Sequence, residues 1–143
     1  MSLGRIAIAV AVWLLVAPCL GEDAIAYRQT VERAAAAHLE ALSGIVRGEA
    51  PAGADAAAHA QALVGLAAEM PRLYPAGSEG PGSQARREVW SQASAFAGAH
   101  NTYAQSAAAM LKAAQSGDAA TLAPAFSTLA LACKGCHDRF VRN

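Results

Sequence analysis

Cysteine is scarce in this 143-residue chain: there are three, and Cys19 lies in an N-terminal stretch built like an export leader. Without the leader only Cys133 and Cys136 remain, so a framework of structural disulfides is excluded. Runs of β-branched residues and strand-like alternation are missing, which argues against a sheet. There is no glycine-rich phosphate loop, no Ser-His-Asp order and no carboxylate dyad that can be placed on facing elements. Nucleotide-binding and classical hydrolase functions therefore lack support. Basic and acidic side chains balance at 11 each, with no basic stripe, so nucleic acid is not an expected partner.

What is present begins with the leader. Arg5 gives a positive start, Ile6 to Val16 form an apolar run, and small residues follow. The run is too short to span a membrane. Cleavage is expected after Cys19 or Gly21, giving a signal peptide at 1–21 and one mature domain at 22–143. Val16-Ala17-Pro18-Cys19 makes a poor lipoprotein box because proline precedes the cysteine. The leader points to export, and hence to the periplasm.

The mature chain is alanine-rich and helix-prone, and its breaks are written in glycine and proline. They fall at Gly48 to Gly53, Pro71 to Ser83 and Ser116-Gly117-Asp118, leaving helical segments near 22–47, 54–70, 84–115 and 118–142. Apolar positions step by three and four. The first segment puts Ile25, Arg28, Glu32, Ala35, Leu39, Leu42 and Val46 on one face; the second offers His59, Leu63, Leu66 and Met70. The third aligns Val89, Ala93, Phe96, His100, Tyr103, Ala107, Met110 and Ala114, and the fourth Leu122, Phe126, Leu129, Cys133, Cys136/His137 and Phe140. This period predicts an all-α fold, a left-handed antiparallel four-helix bundle holding a cofactor inside. Pro124 is expected to bend the last helix.

The cofactor is named by Cys133-Lys134-Gly135-Cys136-His137. Two thiols three apart on a helix share a face, so both can form thioethers to the vinyl groups of one porphyrin, and His137 can then give an imidazole to the iron. A redox dithiol should accompany a βαβ pattern, and a structural zinc site needs a second ligand pair; neither is here. The expectation is one covalent haem c, with its iron.

Further stretches then resemble the class II c-type cytochromes, the cytochrome c' and cytochrome c-556 family. They are Ala26-Tyr27-Arg28-Gln29, Val46-Arg47-Gly48-Glu49, Met70-Pro71-Arg72-Leu73-Tyr74-Pro75-Ala76-Gly77-Ser78, Glu88-Val89-Trp90, Ser116-Gly117-Asp118 and the terminal Cys-x-x-Cys-His-Asp. The resemblance implies a periplasmic monohaem protein, often a homodimer through its first two helices, with His137 as proximal ligand and Cys133 and Cys136 as attachment points. It also places Arg28 and Gln29 near the haem propionates. A basic residue frequent four positions after the haem histidine is replaced here by Val141, followed by Arg142.

The distal side departs from that pattern. Counting five from Tyr27 reaches Glu32, where the family carries methionine in the c-556 type or a bulky apolar group in the c' type. Three readings of Glu32 stand: an ion pair with Arg28 one turn earlier, a hydrogen-bond acceptor for water at the iron, or a weak oxygen ligand to ferric iron. Met70, Met110 and His100 are alternative ligands whose ordinary reading is packing. His38 and His59 are expected at the rim, Trp90 and Phe96 in the core, and Tyr74 at the haem edge or as a loop anchor. The expected function is electron transfer through Fe(III)/Fe(II) cycling with a redox partner protein. The alternative is NO or CO binding at an open or weakly held distal site. Enzymatic catalysis is not expected, since no distal His-Arg pair is readable.

Overall fold

The computed structural model describes residues 20–51 and 54–142. The expected leader therefore lies outside the described residues, apart from Leu20 and Gly21, which begin the first helix. Four long helices carry the fold: α1 (Leu20–Val46), α2 (Ala56–Glu69), α4 (Ala93–Ser116) and α5 (Ala119–Phe140), with a short α3 (Glu88–Ser91) between α2 and α4. They close a ring in which α1 packs on α2, α2 on α4, α4 on α5, and α5 back on α1. The only pairing outside helices among the described residues is an antiparallel bridge between Ala85 and Val141. The expected four-helix bundle is the observed fold.

Local chemistry sets the helix ends. Gly48, at φ 71°, turns the chain out of α1 while its amide donates to Ile45 O at 3.0 Å. That left-handed conformation suits a residue without a Cβ. Asp55 caps α2 by accepting from the Ala58 amide at 3.0 Å. Asp118 caps α5 by accepting from the Ala120 amide at 2.9 Å, directly after Gly117 at φ 70° has ended α4. Each carboxylate satisfies an amide that the first helical turn leaves without a partner. α5 runs unbroken through Pro124.

The third predicted segment, 84–115, is not one helix. Residues 84–86 are extended and pair with the C-terminus, the Arg86 amide donating to Phe140 O and the Arg142 amide to Gln84 O, both at 2.8 Å. The helix then breaks at Gln92, with φ −121° and ψ 47°, although no glycine or proline stands there. The Gln92 side chain instead accepts from the Arg139 guanidinium of α5 at 2.5 Å. Beyond the break the phase of the helix shifts, which leaves Ala93 exposed instead of on the inner face.

The interior has two parts. Between the helices lies an aliphatic cluster of Leu42, Ala60, Leu63, Ala67, Tyr103, Ala107, Met110 and Leu129. Each large member stabilises the fold by roughly 1.5–3 kcal/mol through burial. The second cluster joins Ala85, Val89 and Phe140 to Tyr74, Trp90, Phe96 and Cys136. Its rings meet edge to face, Tyr74 on Phe96 at 4.8 Å and Phe96 on Phe140 at 5.2 Å between centroids. This aromatic cap closes the end of the bundle where α5 finishes.

Candidate haem site

A cavity of about 480 Å³ opens between α1, α2, α4 and α5. Gln29, Glu32 and Leu39 from α1, Leu63 from α2, Met70, Tyr103 from α4, and Cys133, Cys136 and His137 from α5 line it, joined by Gln84 and Val141. The Cys-x-x-Cys-His residues and Glu32 thus border one space, although about 100 positions separate them in the chain. The helical repeat accounts for the first group: Cys133 and Cys136, one turn apart, point the same way. Both thiols are free and half-buried, and His137 is exposed. Burial pushes both thiols up, Cys136 to about 11 with the neighbouring Cys133 and Glu32 adding to the effect, so they are neutral S–H groups in the unmodified chain.

Arg28 does not act as expected. It is 2% exposed and its fork is filled by the 73–83 loop: Nη1 donates to Leu73 O and Ser78 Oγ at 3.0 Å each, Nη2 to Ser78 O at 2.9 Å and Ser83 Oγ at 2.8 Å. Its guanidinium also covers the Tyr74 ring at 4.8 Å and the Trp90 ring at 5.9 Å. The ion pair between Arg28 and Glu32 is therefore corrected: four neutral oxygens and two aromatic faces, not a carboxylate, hold this buried cation. Arg28, expected near a propionate, is not among the residues that line the cavity, and its donors are taken by the 73–83 loop. Gln29 does line the cavity, with its amide nitrogen donating to Gly82 O at 2.8 Å.

Glu32 finds a different partner. Its Oε1 accepts from the Tyr74 hydroxyl at 2.6 Å. The phenol is held strongly protonated, first by burial and then by the adjacent Glu32 charge. Tyr74 thus anchors its loop and also holds the Glu32 carboxylate. Its backbone carbonyl accepts from Trp90 Nε1 at 3.1 Å, which fixes the ring from behind.

The remaining candidates separate. Met110 is fully buried in the aliphatic cluster, and His100 Nε2 meets Ala67 O at 2.8 Å; neither lines the cavity. Met70 does line it. His38 and His59 bond to each other across α1 and α2, Nδ1 to Nδ1 at 3.0 Å. Val141 borders the cavity where a basic residue was looked for, and its carbonyl accepts from Arg86 Nε at 2.7 Å. Gln84 and Tyr103 were missed as lining residues. Tyr103 was legible on the inner face of its segment, whereas Gln84 reaches the site only through the pairing with the C-terminus.

The donor set fits haem c: two neutral thiols a turn apart, an adjacent imidazole, and a largely apolar cavity within the ordinary 300–1,000 Å³ range of small-molecule sites. A four-helix bundle whose Cys-x-x-Cys-His set borders a cavity between the helices defines a class II c-type cytochrome. Comparison with known proteins agrees. The family model described as Cytochrome C' matches residues 23–141. The chain is 37% identical to cytochrome c' of Pararhodospirillum photometricum over 120 residues, covering 83% of this chain and 96% of that one. It is 35% identical to cytochrome c' of Rubrivivax gelatinosus over 120 residues, covering 82% and 93%. A nitric oxide complex of a leucine variant of cytochrome c prime from Alcaligenes xylosoxidans superposes with a TM-score of 0.79 at 31% identity, covering 86% of this chain and 96% of that one. A carbon monoxide-bound variant of the same protein gives the same score and identity, covering 86% and 97%. The chain belongs to the cytochrome c' family.

Proposed function

We propose that the chain carries one haem c, joined covalently through Cys133 and Cys136 with His137 as proximal ligand, and that its distal iron position binds NO or CO. The observation that carries this reading is the hydrogen bond from Tyr74 to Glu32 at 2.6 Å. The side chain at the distal position is already engaged, and it is neither a thioether nor an imidazole. His100 and Met110 are committed elsewhere. The NO and CO complexes among the structural relatives support the same reading. When bound, haem c supplies an iron that takes up and releases one electron and accepts a small ligand. Around it Leu39 and Leu63 exclude water, Gln29 offers an amide at the cavity wall, and Glu32 adds negative charge.

A second reading is electron transfer with a redox partner protein. Met70 favours it, since its thioether borders the cavity and two strong axial ligands would reduce reorganisation. Export to the periplasm suits both readings, as does a homodimer through α1 and α2, where Ala37 is exposed and permits close approach. Neither reading makes the protein an enzyme.

Absorption and EPR spectra of the holoprotein, ferric and ferrous, with and without CO, separate the two. High-spin iron that binds CO is expected; iron that is low-spin in both states and ignores CO would give electron transfer the function. Replacing Glu32 by leucine is expected to raise the reduction potential by on the order of 60 mV, a tenfold change for one electron, and to ease CO and NO binding. An unchanged potential with unchanged gas affinity would remove Glu32 from the site.

A further inference from the structure

Glu32 carries a hard oxygen donor on a side chain with three rotatable bonds, and ferric iron accepts such donors. What the carboxylate does is therefore decided by what restrains it. Oε1 takes the Tyr74 phenol hydrogen at 2.6 Å, the length of a bond to a charged acceptor. Tyr74 has little freedom of its own. Its ring meets Phe96 at 4.8 Å and Trp90 at 6.2 Å, Arg28 covers it at 4.8 Å, and its carbonyl is tied to Trp90 Nε1. Arg28 is in turn pinned by its four bonds to the 73–83 loop. The carboxylate is thus tethered through one phenol to the most constrained part of the fold. Burial and the carboxylate itself keep that phenol a donor.

We propose that Tyr74 is a positioning residue that holds the Glu32 carboxylate off the haem iron, so that the distal position stays available to an incoming ligand. The proposal rests on the reading of the cavity as a haem c site with an open distal side. It gives Tyr74 a role in the iron's coordination without contact to the iron: the bond to Oε1 fixes how far the whole carboxylate, Oε2 included, can reach.

The test uses the ferric holoprotein and cyanide, which enters as neutral hydrogen cyanide at neutral pH and so is little repelled by Glu32. Tyr74→Phe keeps the ring packing and removes only the donor. It is expected to weaken cyanide affinity roughly ten- to a hundredfold, the worth of one hydrogen bond to a charged group, with a change in the ferric EPR signal as the carboxylate reaches the iron. Adding Glu32→Gln to Tyr74→Phe should restore the affinity to within about threefold of Glu32→Gln alone, because the two residues act as one unit. Wild-type affinity and an unchanged EPR signal in Tyr74→Phe would overturn the proposal. So would a double variant as weak as Tyr74→Phe, which would mark a structural defect. If wild type and Glu32→Gln both refuse cyanide and are low-spin, the open-site reading itself fails and the proposal falls with it.

Discussion

The two halves of the interior are built on opposite principles. The aliphatic cluster from Leu42 to Leu129 is held chiefly by shape and burial, with one hydrogen bond from the Tyr103 hydroxyl to Leu63 O at 3.3 Å, and its members sit where three- and four-residue steps put them. The aromatic cap is held by direction: a buried guanidinium with four hydrogen bonds, a phenol on a carboxylate, an indole N–H on two carbonyls, and an edge-to-face ring series. An aliphatic core tolerates exchange of similar volumes, whereas a polar cap fails when one donor is lost, because its acceptors remain buried. The haem cavity lies between them, with Leu63 and Tyr103 on one wall and Glu32, Cys136 and Val141 on the other.

The sharpest way to break this comparison is Arg28→Met. The substitution roughly preserves volume yet orphans the carbonyls of Leu73 and Ser78, and is expected to cost about 3–5 kcal/mol in urea unfolding. A cost below about 1 kcal/mol would make the cap as permissive as the core. Leu129→Ala, at a fully buried core position, is expected to cost about 2–4 kcal/mol in the same assay, from lost burial and a residual cavity. Leu129→Met should cost less than about 1.5 kcal/mol if that region works by volume.

Alkaline pH probes the boundary between the halves. Burial, with a smaller contribution from Cys133, raises the Tyr103 phenol from 10.0 to about 12. The folded state thus favours the neutral phenol, so its stabilisation is complete below pH 10 and is lost as pH rises toward 12. Tyr103→Phe should make that part of the stability profile shallower by one phenol's share, leaving the loss from Tyr74, whose larger shift has the same sign. Melting temperatures across the window, wild type against variant, make the measurement. The smallest effect is expected at the helix junction. Asp118→Ala removes one N-cap bond and should cost about 1 kcal/mol, with the ferric spectrum unchanged.

Legibility in the sequence follows range of interaction. Gly48 and Gly117 announced helix ends because a left-handed residue is a local property, and Cys133, Cys136 and His137 announced the cofactor because one helical turn sets their geometry. The break at Gln92 was not legible: no glycine or proline marks it, and the side chain there bonds to an arginine 47 positions away in α5. Glu32 was noticed as an anomaly, but its closest basic neighbour in sequence, Arg28, proved the wrong partner. Tyr74, 42 positions on, proved the right one.

The sequence by itself therefore determined the helical fold, most of the inward faces and the Cys-x-x-Cys-His motif that borders the cavity, because helical periodicity and a five-residue motif encode them within one or two turns. Only the tertiary structure decided how Arg28 and Glu32 are partnered. Arg28 and Glu32 stand one turn apart on the same helix, yet each bonds across space to the 73–83 loop: satisfying that loop's buried oxygens captures the guanidinium, and the phenol that packs beneath it captures the carboxylate.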